Sequence, residues 1–211
     1  YKGSTVTDEC ADVDAGSFGS ADSGLTHASS AATSAVLCPN GKFNTDGTDE
    51  CADVDAGKQA VNASATYVAI GAVDQLACTV GYYNLNGDGP CVAVTAGYVS
   101  RTASTALSHS GASGVSTVNV NQAAALYAVA CPDGEYKGST VTDECADVPA
   151  GSFGSADFCL THASSAAISA VLCPYGKFNT DGTSTCQDVD AGKQAVNASN
   201  TYVAIGAVDQ L

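Results

Sequence analysis

The chain has 211 residues, a formal net charge of −15 from 22 acidic and 7 basic side chains, and neither Met nor Trp. So negative a chain repels nucleic acid and anionic membrane surfaces, which sets both aside as partners. Its 45% apolar fraction is mostly Ala and Val, which build thin cores, and no stretch approaches the ~18–20 consecutive apolar residues of a membrane helix.

No initiator Met and no signal peptide stand at Tyr1, so the start of the gene product is expected to be missing or processed away. The first recognisable element is a heptad, C-A-D-V-D-A-G, at Cys10–Gly16. Ala28–Ala35 is Ala-rich enough for a short helical turn, and Ser34–Leu37 (S-A-V-L) reads as a short strand. C38PNGKF follows, then the Asp-Gly turn of N44TDGT, then a second heptad at Cys51–Gly57. Thr66–Val73 (T-Y-V-A-I-G-A-V) is β-branched and partly alternating, and reads as another strand. C78TVGYY, the turn N84LNGDG and the looser heptad C-V-A-V-T-A-G at Cys91–Gly97 repeat the pattern. A long Ser/Thr/Ala/Gly stretch, Ser100–Ser116, leads to a second Ala-rich turn at Gln122–Leu126 and a strand at Leu126–Ala130. C131PDGEY, the heptad at Cys145–Gly151, the Ser-rich Ser152–Ser169, C173PYGKF, N179TDGT and the heptad at Cys186–Gly192 complete the order.

The chain is a repeat inside a repeat. A shift of 135 residues lays Tyr1–Leu76 on Tyr136–Leu211, and 67 of the 76 pairs are identical. The nine differences include Gly24/Cys159, Asn40/Tyr175, Asp49/Ser184 and Glu50/Thr185. Within this super-repeat lie smaller modules, with boundaries at 1–37, 38–77, 78–130, 131–172 and 173–211. The first lacks its opening Cys and the last stops short of the next, so the chain is expected to be a window on a longer array.

Ten regularly spaced cysteines in a Gly/Ser/Thr/Asp-rich chain read as a disulfide framework and an oxidising, extracellular compartment. Four opening cysteines (Cys38, Cys78, Cys131, Cys173) each precede a closing one (Cys51, Cys91, Cys145, Cys186). Bridging within modules and bridging across them, as in Cys51–Cys78, keep the same even count. A bridge closing a loop of about 14 residues removes roughly 3 kcal/mol of unfolded-chain entropy, a staple that modules with so little Leu and Phe require. The aromatic of each opening motif (Phe43, Tyr83, Tyr136, Phe178) is expected to pack on that bridge. Val13, Val54, Val94, Val148 and Val189 stand at the positions a second set of cysteines would take, so the heptad's second half is expected to rely on apolar packing.

The pattern C-P-x-G-x-[FY]…C-x-x-V-x-A-G resembles the cysteine-rich repeats of tumour-necrosis-factor-receptor and ephrin-receptor-like ectodomains, and is similar to the tandem Cys-rich repeats of protist, ciliate-type surface antigens. It covers the five module cores, roughly a third of the chain; Val replaces the third Cys throughout, and the linking stretches are longer. The resemblance implies first-to-second pairing within each module and an elongated extracellular habit. The expected fold is mostly β, small disulfide-stapled hairpin modules in an elongated tandem array. Cys10 and Cys159 are then left over, for a bridge to another subunit or to a partner outside the window.

Asn62 and Asn197 open N-A-S sequons at equivalent positions, so covalent glycans are expected. Ser100–Ser116 and Ser152–Ser169 have a composition that suits O-glycosylation or a plain solvated loop. N44TDGTDE resembles part of a calcium loop, but N179TDGTST lacks two of its oxygen ligands, so a hairpin turn is the preferred reading. His27 and His162 have no second ligand at metal spacing, and no motif places a nucleophile beside a base. No catalytic residue, resident metal or cofactor is expected. Near-identical copies favour length and equivalent interfaces. The expectation is a structural extracellular glycoprotein that adds to itself head to tail as a filament or surface fibre; a monomeric surface antigen, adhesin or receptor ectodomain is the alternative.

Overall fold

A computed structural model describes residues 1, 10–24, 26–108, 120–138, 141, 144–158 and 161–211. Among them there is no helix, and eighteen short strands form nine two-stranded sheets. The chain divides into two compact units, Tyr1–Val92 with Ala123–Tyr127, and Ala93–Gln122 with Ala128–Leu211.

In the first unit, long and short hairpins alternate. Ser17–Ser20 pairs antiparallel with Ser34–Leu37, Lys42–Phe43 with Ala52–Asp53, and Lys58–Val61 with Asp74–Ala77. The second unit repeats the alternation: Glu135–Tyr136 with Ala146–Asp147, Ser152–Ser155 with Ser169–Leu172, Lys177–Phe178 with Gln187–Asp188, and Ala195–Val196 with Asp209–Gln210. Tyr82–Tyr83, Val92–Ala93, Tyr98–Arg101 and Tyr127–Ala130 complete the strands. Each short hairpin joins an opening motif to the heptad that closes it, so the module is a mostly β, disulfide-closed unit. Two-residue strands have too few ladder bonds to persist alone. Disulfides hold them: Cys38–Cys51, Cys78–Cys91, Cys131–Cys145 and Cys173–Cys186 are bonded, with Cα atoms 5.5 to 5.7 Å apart.

Two stretches that read as helical turns are not helical. Ala31 and Ala124 have φ of 56° and 50°, and a left-handed residue costs an Ala about 1–2 kcal/mol and cannot sit inside a right-handed helix. Thr66–Val73 is not a strand either; only Tyr67 and Ala72 make isolated bridges, and the strand begins at Asp74. Left-handed residues at Ala65 and Gly71 break its extension.

The core is a set of small clusters, and the aromatics do not sit as expected. The Cys38–Cys51 bridge packs against Phe18 and Val36, and the Cys131–Cys145 bridge against Val99 and Leu107. Phe43 instead packs on Val54, Ala60, Ala72 and Val68, and Phe178 on Ala195, Ala207, Val189 and Val203. The Cys38–Cys51 and Cys131–Cys145 bridges are therefore covered by the residue two places after the preceding heptad's glycine, and Phe43 and Phe178 face the valine of the heptad that follows.

Candidate functional site

The most repeated arrangement in the molecule is the joint between one heptad and the next opening motif. At the first joint the Gly16 amide donates to the Asn44 carbonyl (2.7 Å), and the Gly16 carbonyl accepts from the Cys38 amide (2.8 Å). Asn44 N–H then donates to Ala72 O (3.0 Å), and Gly71 N–H to Cys38 O (2.8 Å). The same four bonds recur with Gly57, Cys78, Asn84 and Ala124–Ala125. They recur again with Gly97, Cys131, Lys137 and Ala166–Ala167, and with Gly151, Cys173, Asn179 and Gly206–Ala207. All four joints are made by backbone groups.

Steric fit explains the heptad's invariant glycine. It has φ near +80° at each joint, and a Cβ there would lie 2.3 to 2.4 Å from the carbonyl oxygen of Gly71, Ala124, Ala166 or Gly206. Those four residues are small knobs, and each heptad glycine is the socket for one of them. The sockets are visible in the sequence as a repeated glycine. The knobs are not, because two are alanines held left-handed inside Ala-rich stretches.

The asparagine after the opening aromatic locks the turn. Asn44 is buried; its Oδ1 accepts from the amides of Asp46 (3.1 Å) and Gly47 (2.8 Å), and its Nδ2 donates to Asp49 O (2.7 Å). Asn179 does the same, and Asn84 also reaches back to Lys58 O (2.8 Å). The Asp46 carboxylate accepts from the Thr48 amide and hydroxyl, which holds its pKa below the ordinary carboxylate value. The side-chain oxygens of Asn44 and Asp46 are thus bonded within the turn, and the described residues hold no group of three or more His, Cys, Asp or Glu side chains gathered for a metal ion. Replacing Asn84 by Ala removes all these contacts and strands buried amides, so we expect a loss of about 2–3 kcal/mol in a denaturant titration. A loss below half of that would place the turn's stability elsewhere.

Asn62 and Asn197 both lie between the strands of a long hairpin. Asn62 Oδ1 accepts from the amides of Ser64 (3.0 Å) and Thr66 (3.1 Å). Asn197 Oδ1 accepts from Ser199 and Thr201, at 3.0 Å each. Ala63, Ser64, Ala198 and Ser199 are exposed. The amide nitrogen, to which a glycan would attach, is therefore held in place by its own oxygen.

Cys10 is exposed and carries a free thiol; Cys159 lies outside the described residues. A cleft of about 390 Å³ beside Cys10 is lined by Tyr1, Val13, His27 and Ala31. At the corresponding place in the second copy, Cys131 is bonded to Cys145, and Asp133 reaches His162 (2.9 Å). His27 and His162 lie near Phe18 and Phe153, with ring centroids 6.4 and 6.5 Å apart. Parts of both Ser-rich stretches, 109–116 and 159–160, are outside the described residues.

No helix among the described residues is long and apolar enough to cross a membrane. The chain matches no protein-family model and no curated protein.

Proposed function

We propose that this chain is a structural, extracellular glycoprotein whose tandem modules build a filament or surface fibre by head-to-tail addition. The observation that carries this reading is the joint: one set of four backbone hydrogen bonds used four times, with glycine sockets and small knobs of matched shape. An interface made from backbone and small residues works equally at every repeat, as an extendable array requires. Four disulfides fit an oxidising compartment. Glycans on Asn62 and Asn197, together with the charge of −15, would keep the sides of such a fibre apart. The reading assigns no catalysis and no cofactor.

Electron microscopy of unreduced native material tests it. Filaments whose axial repeat is commensurate with one or two 135-residue units are expected. Discrete monomeric particles would overturn the fibre and favour a surface antigen or receptor ectodomain. For the glycans, enzymatic release of N-linked sugars should lower the mass, and Asn62→Gln and Asn197→Gln should each remove one glycan. An unchanged mass after release would refute the assignment.

A further inference from the structure

The residue before each opening cysteine and the residue before each knob change together. They are Leu37 and Ile70 at the first joint, Ala77 and Ala123 at the second, Ala130 and Ser165 at the third, and Leu172 and Ile205 at the fourth. The second and third joints close with the same four backbone bonds as the other two, so closure does not need the larger side chains. Where the leucine is present the knob is glycine. A Cβ on Gly71 would lie 3.0 Å from Leu37 Cδ2, and one on Gly206 would lie 2.9 Å from Leu172 Cδ2. Each leucine is thus laid over its knob and still faces solvent.

Leu37 and Ile70 are 53% and 60% exposed, and Leu172 and Ile205 are 53% and 56% exposed. Within its own unit the first pair is followed by residues 78–92, and the second is preceded by residues 128–168. The downstream chain leaves the first patch open and the upstream chain leaves the second open. The ends of the chain therefore do not create the exposure.

We infer that the Leu37–Ile70 and Leu172–Ile205 patches are docking surfaces for a second copy of this chain, joined side to side. Charge favours that occupant. The segments that carry the patches, 34–41 with 66–73 and 169–176 with 201–208, hold no charged residue in a chain of −15. Two copies meet there without the like-charge repulsion that they impose on each other elsewhere. Spacing favours it too. A second copy presents the same two patches at the same 135-residue separation, so it matches both. Two large side chains from each partner make a contact far below the ~1,200 Å² of a stable complex, so one patch binds weakly and engagement of both supplies the strength. The same face on both partners makes the contact isologous, unlike head-to-tail addition. It goes beyond the fibre reading and does not depend on it, because chains can pair this way whether or not they also add end to end.

The test is sedimentation equilibrium of the 211-residue chain with free thiols capped. The parent is expected to dimerise with rising concentration. The fourfold variant Leu37→Ala/Ile70→Ala/Leu172→Ala/Ile205→Ala gives both patches the residues that the second joint already carries. It should weaken dimerisation about tenfold or more, a change of about 1.4 kcal/mol. Ile70→Glu/Ile205→Glu places like charges in the contact at two exposed side chains and should weaken it at least as much. That variant keeps the test decisive if loss of the leucines loosens a joint. Parent-like dimerisation of both variants, or a parent that stays monomeric, overturns the contact. A monomeric parent that floats with phosphatidylcholine vesicles, while the fourfold variant does not, overturns it in favour of a lipid surface. Microscopy reads the fibre separately. Fibres in the parent and both variants, with dimerisation unchanged, leave the fibre standing and remove the patches. A parent without fibres, whose dimers are lost in both variants, removes the fibre and keeps the patches.

Discussion

Reduction of the four bridges is expected to unfold the modules. Each closes a loop of 13 or 14 residues in sequence separation, and closure of such a loop contributes about 3 kcal/mol through the unfolded chain. The clusters they belong to are too small to make up the loss. The Cys38–Cys51 cluster adds only Phe18 and Val36, and the Cys131–Cys145 cluster only Val99 and Leu107. Circular dichroism and limited proteolysis, with and without a phosphine reductant, measure the effect. The reduced chain should lose its strand signal and be cut within every module. The double replacement Cys131→Ala/Cys145→Ala isolates one bridge and should cost about 3 kcal/mol. A reduced chain that keeps its melting temperature within a few degrees would show that apolar packing, not the bridges, carries the fold.

The second large effect lies at a glycine. In Gly57→Ala the new Cβ falls 2.3 Å from the Ala124 carbonyl oxygen, at a residue whose φ is +79°. Backbone must move on one side of the joint, and the bonds from Gly57 to Asn84 and Cys78 are strained with it. We expect a loss of about 2–4 kcal/mol, backbone strain and a displaced contact acting together. Gly192→Ala in the lone chain is the internal control. The residue has the same left-handed backbone but open space at the Cβ position, so only the conformational cost of about 1 kcal/mol remains. Hydrogen exchange at the Gly57 and Cys78 amides reads the joint directly and should accelerate only in the first variant. Equal costs for the two replacements would mean that strain alone selects glycine and that the knob has no part in it.

Much of this architecture was legible in the residues. The N-x-[DN]-G turns, the opening and closing cysteines and the 135-residue duplication are local or periodic signals, and each module is built on them. What stayed hidden depends on contacts between segments. Nothing at Phe18 or Val99 says that it will cover a bridge formed many residues later. Ala-rich segments such as Ala28–Ala35 look helical because propensity is a weak prior that packing overrides, and a left-handed alanine leaves no mark in composition. Thr66–Val73 failed for a related reason. Its β-branched residues suit a strand, but the loop must turn at Ala65 and Gly71 to deliver Gly71 to Gly16. The sockets were written five times in plain letters; the knobs had to be found in three dimensions.

The third joint departs from the other three in one respect. Gly97 waits until Cys131 for its partner, whereas Gly16, Gly57 and Gly151 find theirs at Cys38, Cys78 and Cys173, yet the same four bonds close. Closure entropy rises only slowly with the length of the intervening segment, so the joint imposes almost no spacing rule on the sequence between heptads. Genetic material can be inserted there, or whole units copied or deleted, without any residue at the joint having to change. The joint at Gly151, in a copy with 67 of 76 residues identical, closes with the same bonds as the joint at Gly16, and the longer span at Gly97 closes with them too.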